Sequence, residues 1–305
     1  MSSSARHLPD SASAHASKHA IETRVFTGVS GNRLVADAGG DPAAPAVLLL
    51  HGGGQTRHSW GQAQRELIDA GYYAVSLDSR GHGESDWIAS GDYALDRLVE
   101  DVRAVVAQMG TASGRRPALV GASLGGVSAL IACGRDPALA SALVLVDVAP
   151  RLRADGVAHI HRFMGANPDG FASLEEASDA IARYNPLRPR ARNVDGLRKN
   201  LRQHDNGRWY WHWDPKMFGT DYEAKLAVMS AQMIDAAQRV TIPVMLLRGR
   251  QSDVLGEEGV EELRQHIPHL EFVDIEGAGH MIAGDRNDHF NAAVADFLKR
   301  HLATA

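Results

Sequence analysis

The sequence predicts an α/β chain: a doubly wound, mainly parallel sheet with a helical cap inserted after the sixth strand. Three observations carry that expectation. Short apolar runs alternate with helix-periodic segments as far as Val148. The alternation stops from Pro150 to about Val240, where helical segments broken by Gly, Asn and Pro show no buried strand. It resumes at Pro243-Val244-Met245-Leu246-Leu247.

Taken in order, residues 25–28 and 33–36 read as two short strands around the turn Ser30-Gly31-Asn32. Residues 47–50 form a continuous apolar run, as in a strand buried on both faces. A helix over 60–70 stops at Gly71, and a strand over 72–77 ends at Asp78. Leu95, Leu98, Val99, Val102, Val105, Val106 and Met109 keep a helical period that Gly110 ends. Strands at 118–120 and 143–148 flank a helix over 124–134. Beyond the insertion come strands at 243–247 and 270–275, then an amphipathic helix carrying Phe290, Val294, Phe297 and Leu298. The expected organisation is an N-terminal extension over 1–20, a sheet domain over 21–150 and 240–305, and a helical cap over 151–239.

Composition narrows the function. The net charge of -5 in 305 residues gives no global attraction to nucleic acid. No apolar stretch reaches the length of a membrane span. The single cysteine, Cys133, excludes an internal disulfide and reads as a small core residue. Residues 1–20 are rich in Ser, Ala and His and lack the apolar run of a signal peptide, so a disordered extension on a cytoplasmic protein is expected. No histidine, cysteine and carboxylate cluster has metal-ligand spacing, and no phosphate-binding or dinucleotide fingerprint is present. No cofactor is expected, and a homodimer is compatible with the composition.

The chemistry concentrates in Gly121-Ala122-Ser123-Leu124-Gly125-Gly126. Following the apolar run 118–120, this places a serine hydroxyl on a sharp strand-to-helix turn. A serine nucleophile needs a base, and the base an orienting acid. Asp253, after the strand at 243–247, and His280, after the strand at 270–275, supply them in the chain order Ser, Asp, His. His51-Gly52-Gly53-Gly54 follows another strand, and its bare backbone suits an oxyanion hole. The amides of Gly53 and Leu124 are the expected donors.

With Leu50 through Gly54 and Trp60, Asp78-Ser79-Arg80-Gly81-His82-Gly83-Glu84-Ser85, the serine motif, Arg248 through Asp253 and Gly279-His280, the chain resembles the α/β-hydrolases. The likeness is to their capped branch of epoxide hydrolases, haloalkane dehalogenases, cofactor-free haloperoxidases and esterases. It spans residues 22 to 302. Related epoxide hydrolases and dehalogenases carry aspartate at the nucleophile position, where this chain has Ser123. Serine suits attack on a carbonyl carbon, so the resemblance implies a hydrolase of small, mostly apolar esters or lactones. Carbon–carbon bond hydrolysis, perhydrolysis and a non-catalytic small-molecule receptor are the alternatives. Some related hydrolases take the acid from the sixth strand, which makes Asp147 the alternative to Asp253.

His51 and His82 read as structural histidines bonded to backbone, and Asp78, Arg80 and Glu84 as braces of their loop. Trp209, Trp211 and Trp213, in Trp209-Tyr210-Trp211-His212-Trp213, are candidate substrate-binding residues, with cap packing as the alternative. Trp60 is a further candidate beside the glycine run, and Phe163, Met164 and Met217 have weaker claims. The basic stretch Arg188-Pro189-Arg190-Ala191-Arg192 reads as a solvated face.

Overall fold

A computed structural model describes residues 20–109, 114–185, 193–217, 222–282 and 288–302. Gly110, the basic stretch at 188–192 and all but Ala20 of the expected N-terminal extension lie outside these residues.

Eight strands build one sheet: β1 (Ile21–Thr27), β2 (Arg33–Gly39), β3 (Ala46–Leu50), β4 (Tyr73–Leu77), β5 (Ala118–Ala122), β6 (Ala142–Val146), β9 (Val244–Gly249) and β10 (Glu271–Ile275). Their order across the sheet is β1-β2-β4-β3-β5-β6-β9-β10. β1 and β2 form an antiparallel hairpin, β2 runs antiparallel to β4, and every later pair is parallel. Within β3 to β6 every residue is buried, which is why these segments are apolar throughout.

The two faces of the sheet are read by alternation along each strand. Leu48, Leu50, Leu119, Leu143 and Leu145 join one core with the helices Leu95–Met109 and Leu124–Arg135. Val47, Leu49, Val120 and Val144 join the other with Trp60 and the helices Gly61–Asp69 and Asp288–His301. Buried Cys133 fills part of the first core, and burial pushes its thiol up to about 12.

The chain leaves the sheet after β6 and returns at β9. Between them lie the helices Ala154–Gly165, Leu174–Tyr184 and Tyr222–Ala237. The helix Tyr222–Ala237 belongs to the packing of the sheet body: Met233, Ala236 and Ala237 enter the first core, and Ala236 lies against Gly134. Besides the expected helices the segment holds a short hairpin whose strands are mostly not buried, β7 (Leu201–Gln203) with β8 (Trp209–Trp211). The tryptophans at 209, 211 and 213 are spaced by two, the period of an extended strand. Asn206-Gly207 supplies the turn, with Gly207 at φ 76°. Among the described residues no helix is long and apolar enough to cross a membrane.

Candidate active site

Parallel register brings the carboxyl ends of β3, β5, β6, β9 and β10 to one edge of the sheet. The loops leaving that edge carry the glycine run, Ser123, Asp147, residues 250–253 and His280. This is where parallel sheets of this kind bind ligands.

Ser123 stands between β5 and the helix Leu124–Arg135 with φ 45° and ψ −116°, a region that side-chain-bearing residues seldom occupy. The turn is locked from several sides. Ser123 N–H donates to Val146 O at 3.1 Å, and its carbonyl accepts from Val127 N–H at 2.9 Å. A Cβ on Gly125 would lie 2.3 Å from Leu50 O, so only glycine lets the helix start this close to β3. Leu124 occupies the first helical position, where the backbone N–H has no intrahelical acceptor. Gly52 is adjacent: a Cβ there would fall 3.3 Å from that of Ser123.

His280 pairs with Asp147, not with Asp253. Its Nδ1 donates to Asp147 Oδ2 at 2.6 Å. Asp147 is 0% exposed and also accepts from Ser252 Oγ at 2.6 Å and from Gly249 N–H at 3.0 Å. Those donors compensate the burial of its charge. The preference for Asp253 as the acid is therefore corrected. Asp147 turns through φ 51° at the end of β6, which carries its carboxylate to the histidine. Asp253 is exposed, and its backbone carbonyl packs against Gly156. Burial first and the Asp253 carboxylate second push the Tyr184 phenol up to about 12, which sets Asp253 beside the inserted segment.

The glycine run faces Ser123 from β3. Gly52 N–H donates to Gln55 Oε1 at 2.9 Å and Gly54 N–H to His82 Nε2 at 3.0 Å. No described residue accepts from Gly53 N–H. The Gly53 and Leu124 N–H groups, with no acceptor among the described residues, are the kind of pair that an oxyanion site requires.

Of the candidate tryptophans, Trp213 reaches this loop at Gly54. A Cβ on Gly54 would meet Met164 Cε at 2.6 Å and the Trp213 ring at 3.3 Å. Trp211 stacks on Trp213 at 4.8 Å and meets Phe171 edge-on at 5.2 Å. Trp209 lies further out, with the Arg198 guanidinium 4.8 Å over its ring. Phe163 stacks on Tyr184 at 4.2 Å, and Met217 lies beside Gly81. Trp60 is corrected as a substrate contact. It is fully buried and tilts against Phe290 at 6.2 Å, inside the core closed by the helices Gly61–Asp69 and Asp288–His301.

The neighbouring loop is braced ionically, as its charge pattern suggests. Arg57 bonds Asp78, Glu84 and Asp37, while Arg80 makes a two-pronged contact to Asp101 at 2.6 and 2.7 Å. Among the described residues no group of histidine, cysteine and carboxylate side chains is arranged to hold a metal.

His51 and His82 are fully buried, and burial pushes both pKa values down, His82 to about 3. In the unfolded chain a histidine titrates near ~6.5, so between that pH and about 3 the unfolded state binds the extra proton. Stability from these neutral imidazoles is complete above ~6.5 and declines on acidification. The expected result is a urea midpoint that falls from pH 7 to pH 4.5. The fall is shallower in His82→Gln; an equal slope in both proteins contradicts the assignment.

Comparison with known proteins agrees with this architecture. A family model described as alpha/beta hydrolase fold matches residues 45–286. Esterase Rv0045c of Mycobacterium tuberculosis is 30% identical over 253 residues, covering 80% of this chain and 79% of that protein. A 3-hydroxybutyrate-oligomer hydrolase of Cupriavidus necator is 27% identical over 260 residues, covering 82% and 87%. The crystal structure of an alpha/beta hydrolase from Novosphingobium aromaticivorans superposes with a TM-score of 0.76 at 26% identity, covering 92% of this chain and 98% of that one. These relatives are esterases and hydrolases, and they support an ester hydrolase. With a mainly parallel eight-stranded sheet, a serine on the sharp turn after β5, and a family match over most of its length, the chain belongs to the α/β-hydrolase family.

Proposed function

We propose that this protein is a serine hydrolase that cleaves esters or lactones of small, mostly apolar molecules through an acyl-enzyme on Ser123. The observation that carries the reading is the His280–Asp147 pair at 2.6 Å, with Asp147 at the end of β6, the strand neighbouring β5 and the Ser123 turn. Engagement of Nδ1 by Asp147 leaves His280 Nε2 as the free base of the ring.

In this mechanism Ser123 Oγ attacks the substrate carbonyl carbon as His280 Nε2 takes its proton. Asp147 orients the ring and stabilises the imidazolium. The Gly53 and Leu124 N–H groups receive the developing oxyanion. His280 then protonates the leaving oxygen. A water deprotonated by the same nitrogen attacks the acyl-enzyme and releases the acid, restoring Ser123. The inserted segment ahead of the helix Tyr222–Ala237 serves as the cap. Met164 and Trp213 over Gly54 favour an apolar group beside the reacting carbonyl.

Stoichiometric labelling by a fluorophosphonate, mapped to Ser123, is expected, with turnover across a panel of aryl esters and lactones. Ser123→Ala loses both. Full turnover in that variant overturns the mechanism. Binding of panel compounds without cleavage by the wild-type protein identifies a receptor instead.

A further inference from the structure

We infer that His82 and Gln55 are positioning residues that select Gly53 as the oxyanion donor, His82 acting through a reciprocal histidine clasp between two loops. The inference rests on the acyl-enzyme reading above and goes beyond it. It starts from an inventory of three consecutive N–H groups. Buried backbone donors need acceptors, and the peptide planes turn to satisfy them. Gly52 N–H is taken by the Gln55 side chain, and Gly54 N–H by His82. Fixing both neighbours fixes the Gly53 peptide between them and leaves its N–H unspent.

His82 can accept only because its tautomer is set. Its Nδ1 donates to Arg80 O at 3.1 Å, so Nε2 carries the lone pair that meets Gly54. His51 does the same in the opposite direction. Its Nδ1 donates to Gly52 O at 2.8 Å, and its Nε2 accepts from Ser79 N–H at 3.0 Å. Each loop thus lends a histidine acceptor to an N–H of the other. The two rings meet edge-on, 4.9 Å between centroids, and both are fully buried. Gln55 adds a strut: its Nε2 lies 3.5 Å from Met281 Sδ, next in sequence to His280. The donor loop is therefore referenced to the base as well as to the braced loop.

The test separates an acceptor from a space-filler. In Gln a side-chain carbonyl reaches about as far as a histidine Nε2, whereas Leu fills space without accepting. His82→Leu is expected to lose on the order of a hundredfold in kcat for an aryl ester with KM little changed, the signature of a donor felt in the transition state. His82→Gln recovers most of that loss. Urea unfolding of each variant reports whether it is folded. Equal loss in both variants, or retained kcat in His82→Leu, overturns the inference. A second measurement is independent of activity: a coupling across the hydrogen bond between Gly54 N and His82 Nε2 in the nitrogen-15 spectrum. Its presence in a wild-type protein that hydrolyses no ester sinks the acyl-enzyme reading and leaves the clasp standing. Its absence sinks the clasp.

Discussion

Replacing Asp147 with Asn is expected to lower kcat for ester hydrolysis by about 10⁴, with the serine still in place. Asparagine matches aspartate in shape but presents a neutral amide to His280 Nδ1. The imidazole then has no anion to stabilise its charged form, and the tautomer that leaves Nε2 free is no longer enforced. The effect is enlarged by burial. Asp147 is excluded from solvent and its Oδ2 serves both His280 and Ser252, so no water substitutes for the missing charge. Asp253→Asn changes kcat within about twofold, the scale of a neutral surface substitution. Steady-state kinetics of the two variants, with fluorophosphonate labelling rates, decide between the carboxylates. A collapse of activity in Asp253→Asn with an active Asp147→Asn reverses the assignment.

The second large effect is on stability. Asp101→Leu is expected to cost about 3–5 kcal/mol, because it strands a guanidinium inside the protein. Arg80 is 0% exposed, and Asp101 is its only carboxylate partner among the described residues. What remains is a pair of weaker acceptors, Asp92 O at 3.2 Å and Asn32 Oδ1 at 3.4 Å. The carboxylate also holds Val29 N–H at 2.8 Å, so the β1–β2 turn loses an anchor in the same step. Urea unfolding measures the loss. Adding Arg80→Met to Asp101→Leu restores much of it, since a packed apolar pair escapes the penalty of an isolated buried charge. A loss below about 1 kcal/mol in the single variant shows instead that water reaches Arg80 when its partner is gone.

Much of this molecule is legible in its sequence. The strands that build the sheet centre are buried on both sides, so their residues are uniformly apolar and stand out without alignment. The serine turn is legible because crowding against β3 demands glycine at 125, and a motif imposed by sterics leaves a rigid spacing. The acid was not legible in the same way. Two strand ends each offer an aspartate, and the choice between them is made by a backbone torsion at 147 that no spacing encodes. One clue is local. Asp147 is framed by Val146 and Val148, and a carboxylate embedded in an apolar run needs buried donors to survive. Trp60 misled because it is near the glycine run in sequence. Yet Trp60, Ala63 and Leu67 share one helical spacing, which turns the indole inward. The hairpin of the insertion was written in Asn206-Gly207 and in the two-residue spacing of the tryptophans, but aromatic density masked the rhythm.

The position of Asp147 on β6 has a consequence for how such a protein diversifies. The serine and the acid lie on adjoining strands, and both precede the departure of the chain from the sheet. Only the histidine is contributed from beyond it. Whatever is spliced between β6 and β9 must return the chain to one strand slot, and need not also deliver a carboxylate at the first turn after its return. Gly249 and Ser252 remain there as donors to an acid already in place. On the proposed mechanism, the stretch of the insertion ahead of the helix Tyr222–Ala237, which packs in the sheet body, carries neither the serine nor the acid. Exchange of that stretch alone would, on the same proposal, alter what lies over Gly54 while keeping the serine and acid on their own strands.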